Sequence, residues 1–126
     1  MPERAKILVI EDDRLVSRLL RRLLQQAGYE VSVAYSGRAA LAALQAERPD
    51  LITLDIALPE VDGEALLGEL RADPATRSIP VIVISAAPWL LHDRLRRHAR
   101  AVVAKPFRPE EILRVVASVL AGRPTD

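Results

Sequence analysis

A doubly wound α/β protein with a five-stranded parallel sheet is predicted by three observations. Short apolar runs of strand length alternate along the chain with stretches of helical periodicity. The runs are rich in Val, Ile and Leu, as in parallel strands covered on both faces. Three of them end in charge: Ile7–Ile10 runs into Glu11, Asp12 and Asp13, Leu51–Leu54 into Asp55, and Ala101–Ala104 into Lys105. If each is a buried parallel strand, those charges meet at the carboxyl edge of the sheet, where open α/β folds bind ligands.

Each element follows in order. After the first strand, Leu15, Val16, Leu19, Leu20, Leu23, Leu24 and Ala27 recur at helical spacing, with Arg14, Arg18, Arg21 and Arg22 between them. This is an amphipathic helix with a basic outer side, and Gly28 is its natural carboxyl cap. Val31–Ala34 forms the second strand, and Ser36 caps a helix over Arg38–Ala46. Pro49 closes the approach to the third strand, Leu51–Asp55. Pro59 and Gly63 punctuate the next loop, before a helix over Glu64–Ala72 that Asp73-Pro74 ends. Pro80 precedes the fourth strand, Val81–Ser85. A shorter, more charged helix covers about Leu90–His98, and Ala101–Ala104 is the fifth strand. Pro109 fits the first position of a last helix, with Glu110 and Glu111 favourable to its dipole. Its buried side is Ile112, Leu113, Val115, Val116, Val119 and Leu120, and Gly122–Asp126 reads as a frayed tail. The expectation is five strands and five helices in one domain over residues 1–126, with its core at about 6–120.

Composition narrows the function classes. With 126 residues, half of them hydrophobic, the chain is long enough to bury a core without staples. Only Phe107, Trp89, Tyr29 and Tyr35 are aromatic, so that core is aliphatic. A net charge of +1 implies neither a nucleic-acid binder nor an acidic solvating chain. The absence of cysteine excludes disulfide, zinc-thiolate and thiol chemistry. The first residues lack the apolar stretch of a signal peptide and no run reaches transmembrane length, so a cytoplasmic setting without membrane insertion is expected.

The charged strand ends carry the chemistry. One acid after Ile10 would serve as a helix cap, but three beside Asp55 repel one another unless a cation joins them. Hard oxygen ligands with few protein contacts suit Mg²⁺. Asp55 either caps its loop or acts as a nucleophile that accepts a phosphoryl group. Lys105 is either a solvated charge or, directed by a cis bond to Pro106, a partner for phosphate oxygens. Ser85 ends the fourth strand beside small Ala86 and Ala87 and could donate to a phosphate. Arg94, Arg96, Arg97 and Arg100, with His92 and His98, read as a solvated face, since no aromatic residues interleave them. Trp89 is either a lid over a local cavity or a partner-contact anchor. No Gly-rich phosphate loop is present.

With these residues in hand, the chain resembles the receiver domains of two-component response regulators. The resemblance runs from about Lys6 to Leu120. It rests on Ile7-Leu-Val-Ile-Glu-Asp-Asp13, Pro49-Asp-Leu-Ile-Thr-Leu-Asp55, Leu58-Pro59, Asp62-Gly63, Pro80-Val-Ile-Val-Ile-Ser-Ala86 and Lys105-Pro-Phe107. It implies the flavodoxin-like strand order 2-1-3-4-5. It further implies that Asp55 is the phosphoacceptor, that Glu11, Asp12, Asp55 and the backbone carbonyl of Ala57 hold Mg²⁺, and that Ser85 and Lys105 bind the phosphoryl oxygens. Asp13 is then a helix cap. The implied donor is a phosphohistidine on a sensor histidine kinase or phosphotransfer protein, or a small phosphodonor, with the basic first helix as docking face. A homodimer is compatible with this, direct nucleic-acid binding is not expected, and the chain is a phosphoacceptor rather than an enzyme.

Two departures from the family pattern bear on the relay beyond the site. Val102 stands where the family carries a switch aromatic, and the interval from Ser85 to Lys105 is short by about two residues, so an altered fourth helix is expected. Ala57 and Ala87 stand where polar side chains of the family position a hydrolytic water, which implies slow self-dephosphorylation. A pseudo-receiver that binds partners without phosphorylation is the competing reading, but it would be favoured by missing acids or a missing lysine, and neither is missing. A phosphatase of the haloacid dehalogenase type would need a second acid where Ala57 stands.

Overall fold

The computed structural model describes residues 4–57, 63–91 and 93–122. Five strands, β1 (Lys6–Ile10), β2 (Glu30–Ala34), β3 (Leu51–Leu54), β4 (Val81–Ser85) and β5 (Ala101–Ala104), form one parallel sheet in the order β2-β1-β3-β4-β5. The helices are α1 (Arg14–Gln26), α2 (Gly37–Ala46), α3 (Gly63–Ala72), α4 (Asp93–Arg96) and α5 (Pro109–Leu120). The strand order reverses between β1 and β3, which places the switch point at the carboxyl ends of those two strands.

Alternation along the strands builds two cores. In β1, Leu8 and Ile10 point to one side with Ile52, Leu54, Val81 and Val83, against Leu66, Leu67 and Leu70 of α3. Ile7 and Val9 point to the other with Ile82, Ile84 and Val103, against Leu20 and Leu24 of α1 and Ile112, Val115 and Val116 of α5. Burial on both faces is why these strands read as unbroken apolar runs. Each such side chain contributes roughly 1.5–3 kcal/mol on leaving water.

The helix ends follow from local chemistry. Asp13 caps α1, its carboxylate accepting from Leu15 N–H at 2.9 Å and Val16 N–H at 3.2 Å. Gly28, at φ +100°, closes the other end, with Gly28 N–H donating to Gln25 and Tyr29 N–H to Leu24. Ser36 caps α2 by accepting from Ala39 N–H at 3.1 Å.

Two expectations need correction. The fourth helix does not run from Leu90 to His98: a 3-10 turn at Pro88–Leu90 is followed by the single turn α4. Among the described residues, four full helices and one turn therefore flank the sheet. Leu15 and Leu19 are not part of the buried stripe of α1 but are 76% and 49% exposed. Leucine at nearly every helical repeat is too wide a pattern for one buried face, and Ser17, Leu20 and Leu24 take it instead. Leu58, Pro59, Asp62 and His92, and the tail beyond Gly122, lie outside the described residues.

Candidate metal and phosphoryl site

The sheet brings the sequence-predicted charges to one edge. Asp55 follows β3 and its N–H donates to Ile10 at 3.0 Å; Glu11 follows β1 and its N–H donates to Ala34 at 3.0 Å. Lys105 follows β5, and its N–H donates to the carbonyl of Ser85, the last residue of β4, at 2.9 Å. Each residue is thus fixed by one ladder bond just beyond its strand.

Glu11, Asp12 and Asp55 each offer a carboxylate oxygen within 4.8 Å of the others. Glu11 and Asp55 are buried, whereas Asp12 is exposed. The Lys105 ammonium donates to Glu11 Oε1 at 2.7 Å and to Asp55 Oδ2 at 3.0 Å. The remaining oxygens are also held: Glu11 Oε2 accepts from Asp13 N–H at 3.2 Å and Asp55 Oδ1 from Ala57 N–H at 3.0 Å. Three carboxylates against one ammonium leave the cluster short of positive charge. The donor set, all hard oxygens with one acid open to water, fits a divalent cation of the Mg²⁺ kind.

The electrostatics agree. Burial raises the Glu11 carboxyl from 4.5 to about 7; the Lys105 hydrogen bond opposes this and the Asp55 charge adds to it. Burial would lower the Lys105 ammonium, but its hydrogen bonds to Glu11 and Asp55 outweigh that and hold it above its ordinary value. The raised Glu11 carboxyl thus arises from burial, and the raised Lys105 ammonium from its contact with that acid and Asp55.

The remaining candidates divide. Ser85 is buried on the same edge, but its hydroxyl oxygen accepts from Ala87 N–H at 3.1 Å. Asp13 belongs to the cap of α1, as expected from its place after the acid pair. Trp89 is 72% exposed, on the 3-10 turn that follows β4. Arg96, Arg97, His98 and Arg100 are exposed, as a solvated face requires, and Arg96 donates to the Pro88 carbonyl at 2.7 Å.

Sequence reasoning did not foresee the Glu11–Lys105 contact, since it depends on how β1, β3 and β5 stand across the sheet. Nor did it find the Arg14 guanidinium lying 3.7 Å above the Tyr35 ring. A wider cavity of about 600 Å³ opens at the opposite edge of the sheet, beside Lys6, Arg48 and Asp50. Beside it, Asp50 accepts from the Lys6 backbone N–H at 2.7 Å, the Lys6 ammonium lies 3.5 Å from Glu47, and Arg48 donates to Ser78 at 2.8 Å. The acid cluster lies at the carboxyl edge.

Comparison with known proteins agrees with this geometry. Residues 7–117 match the response regulator receiver domain family. The chain is 38% identical over 118 residues to the DNA-binding dual master transcriptional regulator RpaA of Synechocystis sp., covering 91% of this chain and 48% of that one. It is 36% identical over 117 residues to the response regulator MprA of Mycolicibacterium vanbaalenii, covering 91% and 50%. The chain thus spans about half the length of these curated relatives. Among solved structures it is similar to the receiver domain of sensor histidine kinase PA1611 from Pseudomonas aeruginosa, described with a magnesium ion coordinated in the active-site cleft. That likeness has a TM-score of 0.85 at 29% identity and covers 94% of this chain and 99% of the other.

Proposed function

The chain belongs to the response regulator receiver domain family, and from that premise we propose that Asp55 is its phosphoacceptor, taking a phosphoryl group from a phosphohistidine. The observation that carries this reading is the convergence of Glu11, Asp12 and Asp55 within 4.8 Å, with Lys105 bonded to two of them. An Asp55 carboxylate oxygen attacks phosphorus in line. The new O–P bond forms as the P–N bond breaks, and the leaving imidazole nitrogen keeps the bonding pair and takes a proton. Glu11, Asp12, Asp55 and the Ala57 carbonyl would hold Mg²⁺, which supplies charge neutralisation at the phosphoryl oxygens. Lys105 adds a second positive charge there, and the Ser85 hydroxyl turns from Ala87 N–H toward a phosphoryl oxygen. The chain is therefore a phosphoacceptor that assists its own modification rather than an enzyme acting on other substrates.

The donor is a sensor histidine kinase or a phosphotransfer protein. Leu15 and Leu19, exposed on α1 among Arg14, Arg18 and Arg22, offer that partner an apolar anchor ringed by positive charge. A cytoplasmic setting suits this exchange, and none of the described helices is long and apolar enough to cross a membrane.

Incubation with a small phosphodonor and Mg²⁺, followed by intact-mass measurement, tests the reading. A phosphate-sized gain absent from Asp55→Asn is expected. No gain with any donor would make the chain a pseudo-receiver that only binds partners.

A further inference from the structure

Ile56 and Gly63 meet through their backbones. A Cβ on Gly63 would lie 2.2 Å from Ile56 Cα and 2.6 Å from both its carbonyl carbon and oxygen. No L-side chain fits there unless backbone moves. Gly63 also donates its N–H to the Ile56 carbonyl at 3.0 Å. Positive φ among the described glycines occurs at Gly28 and Gly122, so Gly63 is needed for space and not for conformation.

Which side would yield to a Cβ follows from the packing. Gly63 opens α3, and Leu66, Leu67 and Leu70 of that helix are buried in the core. Retreat of α3 would therefore open a cavity beneath several leucines. Ile56 is only partly buried and lies past the end of β3, with Ala57 beyond it exposed. Displacement thus falls on Ile56 and the residues bonded to it. Those are Asp55 and Ala57, whose N–H donates to Asp55 Oδ1 at 3.0 Å.

We propose that Gly63 is a positioning residue for the Asp55 carboxylate. By letting α3 lie flat against Ile56, it sets the Ala57 N–H where that group holds one Asp55 oxygen. The carboxylate is thereby kept facing Lys105 and the acid pair. The inference rests on the reading of Asp55 as phosphoacceptor, but the geometry it concerns can be tested separately.

The test compares Gly63→Ala with wild type and with Gly28→Ala, in 0.5 M sucrose at about 10 °C to favour the folded state. Gly28→Ala strains a positive-φ cap at the far end of α1 and serves as a control for destabilisation alone. In Gly63→Ala, the Ala57 amide should exchange at least ~10-fold faster in metal-free protein, and Mg²⁺ affinity and phosphoryl uptake should each fall about 10- to 100-fold. Gly28→Ala should leave all three near wild type. Wild-type amide exchange and Mg²⁺ affinity in Gly63→Ala would overturn the proposal. So would failure of that variant to fold even in sucrose, since Gly63 would then serve the fold alone. If wild type takes no phosphate, the Asp55 reading fails, while exchange at Ala57 still decides the role of Gly63.

Discussion

Lys105 Nζ lies 2.7 Å from Glu11 Oε1, nearer than its 3.0 Å to Asp55, so the lysine and an added cation draw on the same buried acid. Replacing Lys105 by Gln removes a competing charge from the acid cluster and a stabilising charge from the phosphoryl group. The expected outcome is Mg²⁺ binding tighter by roughly tenfold, as Coulomb energies at this range allow, together with slower phosphoryl uptake. Parallel titration of Mg²⁺ and measurement of uptake check it; movement of both in the same direction contradicts it.

The metal-free protein should lose stability toward neutral pH through Glu11. Burial lifts this carboxyl from 4.5 to about 7 in the folded state. A raised acid value means that the fold binds the proton more tightly than the unfolded chain does. The contribution is therefore complete below about 4.5 and is lost as pH rises through about 7. Melting curves of wild type and Glu11→Gln, taken without metal, should diverge across that window in favour of the variant. A constant difference would count against the assignment.

Asp13 should matter to the helix and not to the chemistry. Its carboxylate accepts from Leu15 and Val16 N–H. Asp13→Ala should cost about 1 kcal/mol, lowering Tm by ~3–5 °C, with phosphorylation at saturating Mg²⁺ unchanged. Loss of phosphorylation in a folded variant would place Asp13 in the metal set.

The strands were legible because β1, β3 and β4 are buried on both faces and so carry unbroken apolar runs ending in the residues of the site. Helix boundaries came within a residue or so where a side chain announced them, as Ser36 and Pro109 did. The segment between Ser85 and Lys105 was less legible. The short interval from Ser85 to Lys105 points to an altered fourth helix, but helical periodicity does not reveal that it is reduced to a 3-10 turn and a single α-turn. Contacts across the fold were also hidden. Gly63 reads as loop punctuation, and its closeness to Ile56 exists only once α3 has packed.

The phosphorylated form should be long-lived. Ala57 and Ala87 lie two residues past Asp55 and Ser85 and offer no side-chain group to hold a hydrolytic water. Ala57→Asn should accelerate loss of phosphate by roughly tenfold through such a hydrogen bond. The decay of purified phosphoprotein, followed by intact mass, provides the measurement, and equal decay of both proteins would reject the explanation.

Arg71 should secure the altered region around α4. Its guanidinium donates to the carbonyls of His98 at 3.0 Å and Ile79 at 2.8 Å, and also to Arg77, joining the end of α3 to two loops. Arg71→Met should destabilise by about 1–3 kcal/mol. Amide exchange should quicken at residues 77–79 and 98–100 while the amides near Asp55 stay protected. Uniform acceleration everywhere would show a global effect instead.

Glu11 and Lys105 are 94 positions apart in the chain yet share a hydrogen bond. During synthesis the acids of the first strand leave the ribosome long before the lysine that neutralises them exists. A nascent chain halted after β4 would expose Glu11 and Asp55 to each other with no ammonium between them. The ammonium that neutralises the acid cluster therefore joins it only once β5 has paired with β4.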